Sequence, residues 1–330
     1  MQSVIDLAVA SGFSGVVRVD TPGKRSFTQA FGYADRRFAI DNVVTTRFSI
    51  ASGTKGLTAL AVMSCIEDRV LSLHTTARSV LGDDLPLVDD TVTLEHLLAH
   101  RSGIGDYLDE SEDGDVNDYV MTVPVQQLAG TEDYLAVLDG FEAANTAGSV
   151  FSYNNSGFVI LALILERTLG QPFEEVVDER VCKPAGITNT GFVRSDELTS
   201  NIAVGYLHAD GLRTNALHLP VFGSGDGGAF STVADMHSLW GALFAGRIVS
   251  NESVELMTRP RSEVPEEGQR YGLGFWLHPT GSTVVLEGCD AGVSFRSAHD
   301  PLSGHSYTVI SNTSSGAWPI AREIEHLAGL

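Results

Sequence analysis

The sequence predicts an α/β fold of the α+β type: an antiparallel sheet flanked by helices, joined to a mainly helical lobe. Three observations carry this. Alternating, β-rich segments lie near both ends of the chain. The middle of the chain shows helical periodicity. Neither terminal group of strands has enough partners to bury its faces alone, so the N-terminal strands are expected to pair with the C-terminal ones.

The elements follow in order. A helix is expected over Gln2–Ala10. Ser14–Val19, the turn Thr21-Pro22-Gly23-Lys24 and Arg25–Tyr33 read as a hairpin, because the Pro-Gly pair imposes a reversal. Lys55–Asp68 places Leu57, Leu60, Ala61, Ser64 and Cys65 on one helical face. Leu94–His100, Gln126–Leu138, Gly157–Leu169, Pro172–Val181 and Val233–Leu243 are further helices by the same pattern. Tyr271–Leu277 and Ser282–Glu287 read as one pair of strands, and Val293–Ala298 and Ser306–Ser311 as another. A last helix is expected near Pro319–Leu327. This describes a single unit over 1–330, with an α/β lobe from 1–50 plus 265–330 and a helical lobe from 51–264. The groove between such lobes is a natural ligand site.

Composition narrows the function. The 330 residues are 43% apolar, enough for a large core. The formal charge of −21 repels phosphate backbones and anionic lipid, so neither nucleic acid nor a membrane is an expected partner. Cys65, Cys182 and Cys289 are odd in number and far apart, which fits neither a disulfide framework nor a zinc cluster. The N-terminal stretch MQSVIDLAVASGFSG lacks the charged and long apolar regions of a secretory leader. A cytoplasmic protein is expected, or a periplasmic or secreted one whose leader has been removed.

Two short segments carry candidate chemistry. In Ser52-Gly53-Thr54-Lys55, a helix starting at Ser52 would put Ser52 and Lys55 one turn apart on the same face. A serine hydroxyl needs an adjacent base to act as a nucleophile, and a lysine serves when burial or a nearby cation lowers its pKa. Only three lysines occur, Lys24, Lys55 and Lys183, and one of them sits at this offset. Ser-x-x-Lys is common by chance, and read alone it more often means that Ser52 caps a helix and Lys55 lies on the surface. Tyr153-Asn154-Asn155 precedes an apolar helix; a tyrosine there can relay a proton, and an asparagine can orient a lysine or a carbonyl. Read alone, this segment can also be a capped helix start with a packed tyrosine.

Six ordered blocks resemble the class C β-lactamases and their esterase and D-peptidase relatives, within the serine β-lactamase and penicillin-binding-protein family. They are Phe31-Gly32-Tyr33-Ala34-Asp35, Thr46 to Lys55, Leu97 to Ile104, Phe151 to Gly157, Lys183 to Ile187 with Thr190-Gly191-Phe192, and Gly227 to Thr232 with Ala234-Asp235. The resemblance implies a β-lactamase/DD-peptidase-like fold, Ser52 as nucleophile, Lys55 as base, Tyr153 as proton relay and Asn155 as a contact to substrate and lysine. It implies no metal or organic cofactor, and a small ester, amide or short peptide as substrate. The oligomeric state is left open.

The family's third motif, Lys-Thr-Gly or His-x-Gly, is altered. The strand reads Val285-Leu286-Glu287-Gly288-Cys289-Asp290-Ala291-Gly292. Depending on the register, the cationic position falls to Leu286, Glu287 or Cys289, none of them basic. This argues against β-lactam hydrolysis as the main task while leaving an oxyanion hole of backbone N–H groups, from Ser52 and a residue near Gly288 and Cys289. Glu287 or Asp290 facing the groove would favour a neutral or cationic substrate; either can also point to solvent.

Other features are set aside. His96 and His100 are spaced as zinc ligands, but Glu95 precedes the pair, so a structural role is expected. Gly223 to Gly228 reads as a flexible turn. The expected activity is hydrolysis of a small ester or amide through a Ser52 acyl-enzyme, with weak or no β-lactamase activity. The alternatives are acyl transfer by the same machinery, or an idle homologue that binds acyl or peptidoglycan-like ligands.

Overall fold

The two ends of the chain meet in one sheet in the computed structural model, which describes residues 1–108 and 114–328. From one edge to the other the strands are Phe27–Phe31, Gly15–Asp20, Ser306–Ser311, Val293–His299, Val284–Asp290, Trp276–Leu277, Gln269–Tyr271 and Ser262–Val264, with every neighbour antiparallel. Val16 stands opposite Ile310 and Val17 opposite Val309, so the N-terminal hairpin pairs with the C-terminal strands as expected.

Successive residues of a strand face opposite sides, and here both sides are covered. Val17, Val285, Ala298 and Val309 pack against the terminal helices Gln2–Ala10 and Ala317–Ala328 through Val4, Ala8, Ile320 and Ile324. Val16, Leu286, Phe295 and Ile310 belong to the larger core, shared with the helices Thr54–Glu67 and Val233–Leu243. The helix Asn155–Leu169 is buried at every position from Asn155 to Leu165, which explains why its sequence is apolar all round. A small three-stranded sheet pairs Phe48–Ser49 with Ala229–Ser231, and those strands lead directly into the candidate site. Among the described residues no helix is long and apolar enough to cross a membrane.

Three expected elements differ. Gln126–Leu138 is broken into the turns Val125–Gln127 and Thr131–Tyr134 and the short helix Leu135–Leu138. Gly130 is extended at the break, and the Asp133 carboxylate accepts the Ala129 N–H that a continuous helix would use. Tyr271–Leu277 is two strands joined by a tight reversal, with Trp276 opposite Tyr271. Gly274 takes φ +82° there, and a side chain at Gly272 would strike the Met257 carbonyl. Pro172–Val181 is helical from Phe173 to Val177 and then widens into a π turn over Asp178–Cys182.

Phe295 is fully buried and lies against the backbone of Gly53. Phe295→Ala is expected to lower unfolding stability by about 3–5 kcal/mol. Phe38→Ala, at an exposed ring, should stay within about 0.5 kcal/mol. Urea unfolding curves of the two variants test this.

Candidate active site

Ser52 sits in a tight 3-10 turn, Ala51–Gly53, that runs into the helix Thr54–Glu67. Ala51 has a left-handed backbone at φ +44°, a strained conformation that surrounding bonds must hold in place. They do: Thr54 Oγ1 donates to the Ala51 carbonyl at 2.7 Å, and the Ala229 N–H donates to Thr54 Oγ1 at 3.1 Å.

One turn on, Lys55 is almost wholly buried, at 2% exposure. Its ammonium donates to Ser52 Oγ at 2.8 Å, to Asn155 Oδ1 at 2.8 Å and to the Asp226 carbonyl at 2.9 Å. An ammonium has three N–H donors, and all three are used. The ring of Tyr153 lies 4.9 Å from Nζ, within cation–π range. The structure thus brings Ser52, Lys55, Tyr153 and Asn155 together.

Asn155 opens the helix Asn155–Leu169, and every N–H of the first turn has an acceptor. Asn154 caps it, its Oδ1 accepting from the Gly157 N–H at 2.7 Å. Asp106 accepts from the Asn155 and Ser156 N–H groups, each at 2.8 Å. The Asn155 amide also donates to the Leu108 carbonyl at 2.9 Å, which turns its oxygen towards Lys55. Burial pushes the Asp106 carboxyl up to about 6, against the lowering pull of those N–H groups and of Lys55. Asp226 is buried as well and is also pushed up by desolvation; the Tyr107 hydroxyl donates to its carboxylate at 2.5 Å.

The strand Val284–Asp290 crosses in front of the turn. A Cβ on Gly288 would lie 2.6 Å from the Ser52 nitrogen and 2.9 Å from that of Gly53, so this strand approaches Ser52 only because Gly288 has no side chain. Leu286, on the same strand face, is buried against Gly56. Glu287 faces the other side, where Arg296 ion-pairs with it and with Glu325, and Gln269 donates to it at 3.2 Å. Burial raises the Glu287 carboxyl, and Arg296 opposes the shift. Cys289 is exposed, and its thiol lies 3.4 Å from the Ser314 carbonyl.

Ser52 lies between two cavities. One, of about 130 Å³, is largely apolar and includes Phe48, Tyr119, Met121 and Tyr134; Asp290 and Cys289 stand on its wall. The other is an open groove of about 590 Å³ walled by Tyr153, Trp276, Trp318, Glu266 and Glu267, with Glu287 and Gly288 along one side. Among the described residues lining either cavity there is no lysine or arginine.

Sequence reasoning missed Asp106, Tyr107 and Asp226. Asp226 lies in the stretch read as a flexible turn. That reading is corrected: the loop is packed, since a Cβ on Gly225 would lie 2.1 Å from the Phe158 carbonyl, and the glycines serve close approach. His96 forms a capping box with Thr93, and His100 is buried beneath Tyr153.

The comparisons with known proteins bear on the family and the fold. The family model described as Beta-lactamase matches residues 2–328. The putative penicillin-binding protein PbpX of Bacillus subtilis is 29% identical over 81% of this chain, and the match covers 63% of that protein, less than two thirds of its length. A crystal structure of a penicillin-binding protein from Bacillus halodurans superposes with a TM-score of 0.90 at 34% identity, covering 98% of this chain and 99% of that one. The D-amino acid amidase of Ochrobactrum anthropi has a TM-score of 0.77 at 22% identity over 99% of this chain and 96% of its own, a likeness of fold. With the family model spanning nearly every residue and the sheet and helices arranged as described, the chain belongs to the beta-lactamase family.

Proposed function

We propose that this protein is a serine hydrolase that cleaves small neutral or cationic esters and amides through an acyl-enzyme on Ser52. The observation that carries this is the 2.8 Å hydrogen bond between Lys55 Nζ and Ser52 Oγ, made by a buried lysine whose other two donors are held by Asn155 and the Asp226 carbonyl. In its neutral form that amine is in place to take the serine proton, the base a hydroxyl nucleophile requires.

The steps follow from the geometry. Ser52 Oγ attacks the carbonyl carbon as its proton passes to Lys55. The oxyanion is held by two backbone N–H groups, those of Ser52 and Cys289. The strand pairs Asp290 with Val293 across a two-residue turn, so Gly288 and Asp290 bond to the neighbouring strand and the Cys289 N–H faces away from it. The lysine proton, relayed by Tyr153, goes to the leaving oxygen or nitrogen as the scissile bond breaks. Water then attacks the Ser52 ester, the lysine–tyrosine pair takes its proton, and Ser52 recovers its hydroxyl. The smaller, largely apolar cavity suits the acyl group, which stays bound. The open groove suits the leaving group, which must exit. A cavity of roughly 150 Å³ holds a benzene-sized group, which sets the scale.

Electrostatics support the substrate class. With Gly288 as the closing glycine of the third motif, the cationic position falls to Leu286, and among the described residues neither cavity is lined by a lysine or arginine. Arg296 is committed to Glu287 and Glu325, and Arg101 to the carbonyls of Arg261 and Gly148. Asp290, Glu266 and Glu267 lie along the walls. Apart from the buried Lys55, no lysine or arginine among the described residues stands on either cavity wall to meet a carboxylate beside the reacting carbonyl.

Two predictions follow. Ser52→Ala is expected to abolish hydrolysis of p-nitrophenyl butyrate. Lys55→Ala should lose about 10²–10⁴-fold in kcat near neutral pH. Lys55→Arg should fail to restore it, because an arginine keeps its proton. Full turnover in any of the three would assign the chemistry elsewhere. In a substrate panel, nitrocefin should have a kcat/KM at least one to two powers of ten below the best ester. That corresponds to the absence of a charge-assisted hydrogen bond of about 1.5–3 kcal/mol. Equal efficiency on nitrocefin and the best ester would show that a cation does reach the site.

A further inference from the structure

We propose that His100 is a positioning residue that fixes the ring of Tyr153 beside Ser52 and Lys55. The inference rests on the hydrolase reading above and assigns a task to a histidine that touches neither the nucleophile nor the space for substrate.

His100 holds three consecutive residues of the Tyr153 loop. Its carbonyl accepts from the Ser152 N–H at 2.8 Å. Its Nδ1 accepts from the Asn154 N–H at 3.0 Å. Between these two bonds its ring lies 4.3 Å from that of Tyr153, the planes inclined by 33°. Trp276 stacks nearly parallel to Tyr153, at 6.0 Å and 11°. The tyrosine is therefore fixed by backbone bonds on either side of it and by flat neighbours.

The chemistry of the imidazole shows why packing alone does not explain it. An Nδ1 that accepts leaves the proton on Nε2. That Nε2 is buried without a hydrogen-bond partner, within an enclosure formed by Phe151, Phe158 and Tyr271. Burial and the nearby Lys55 charge hold the ring neutral, its pKa well below the ordinary value. An unpartnered buried N–H is a cost that a phenyl ring in the same space would avoid. His100 also has a left-handed backbone, φ +52°, a conformation that a side chain keeps only where its surroundings over-determine it. What the imidazole supplies, and a phenyl ring cannot, is an acceptor for the Asn154 N–H together with a flat face for Tyr153.

The test is a double-mutant cycle on p-nitrophenyl butyrate hydrolysis. His100→Asn offers an acceptor and removes the ring; His100→Phe keeps a ring and removes the acceptor. Thermal melting identifies which of them fold, and either one suffices. A folded His100 variant is expected to lose up to about 10²-fold in kcat, the scale of a misplacement of about 1 Å, with KM within about twofold of wild type. In a Tyr153→Phe background the same substitution should cost no more than about twofold further, because the ring it positions has already lost its hydroxyl. Equal losses in both backgrounds, with Ser52→Ala inactive, overturn this inference and leave the hydrolase reading standing. A Tyr153→Phe variant with wild-type kcat overturns it as well. Turnover that survives in Ser52→Ala overturns the hydrolase reading and this inference with it.

Discussion

An ammonium taken out of water must recover its three hydrogen bonds inside the protein, and the burial of Lys55 imposes that demand on the whole site. The acceptors come from three distant parts of the chain: the turn at Ser52, the start of the helix at Asn155 and the glycine loop at Asp226. Each can be in place only when the helices Thr54–Glu67 and Asn155–Leu169 and the strand Ala229–Ser231 are packed together. Charge is balanced at longer range by the buried carboxyls of Asp106 and Asp226, both of which Lys55 pulls towards ionisation. The candidate base and the candidate nucleophile are thus fixed by the interaction that makes the lysine tolerable in the core.

The second constraint is close approach. Ser52 meets the strand Val284–Asp290 through the bare Cα of Gly288, while Phe295 on the next strand packs on Gly53 and Leu286 on Gly56. Three glycines let a sheet and a helix start come close together beside Ser52. The sheet contributes backbone here more than side chains. Its side-chain charge at this point, Glu287, lies on the other face in an ion-paired network with Arg296 and Glu325.

Much of this was legible in the sequence, for identifiable reasons. The spacing of Ser52 and Lys55 is local and survives even though the serine lies in a 3-10 turn and the helix proper begins at Thr54. Strand pairing between the chain ends was legible because neither hairpin buries both of its faces alone. The register of the third motif was not legible, because three alignments place a non-basic residue at the cation position, and the close approach of Gly288 to Ser52 N is a tertiary feature. Asp106 and Asp226 were missed because an acidic chain offers many aspartates and burial is a tertiary property. His100 was read as structural, since its geometry under Tyr153 depends on a loop some fifty residues away. The break at Gly130 escaped the periodicity argument because one glycine and one side-chain bond outweigh an apolar pattern in a short segment.

The central claim is that a buried amine activates one serine. It is tested most directly by the rate at which a fluorophosphonate modifies Ser52 in the wild type and in Lys55→Met, a near-isosteric side chain without a base, with peptide mapping of the adduct. The account expects a single phosphonyl group on Ser52 in the wild type and a rate lower by about 10²-fold or more in Lys55→Met. An adduct on another residue, or equal rates in the two proteins, would contradict it.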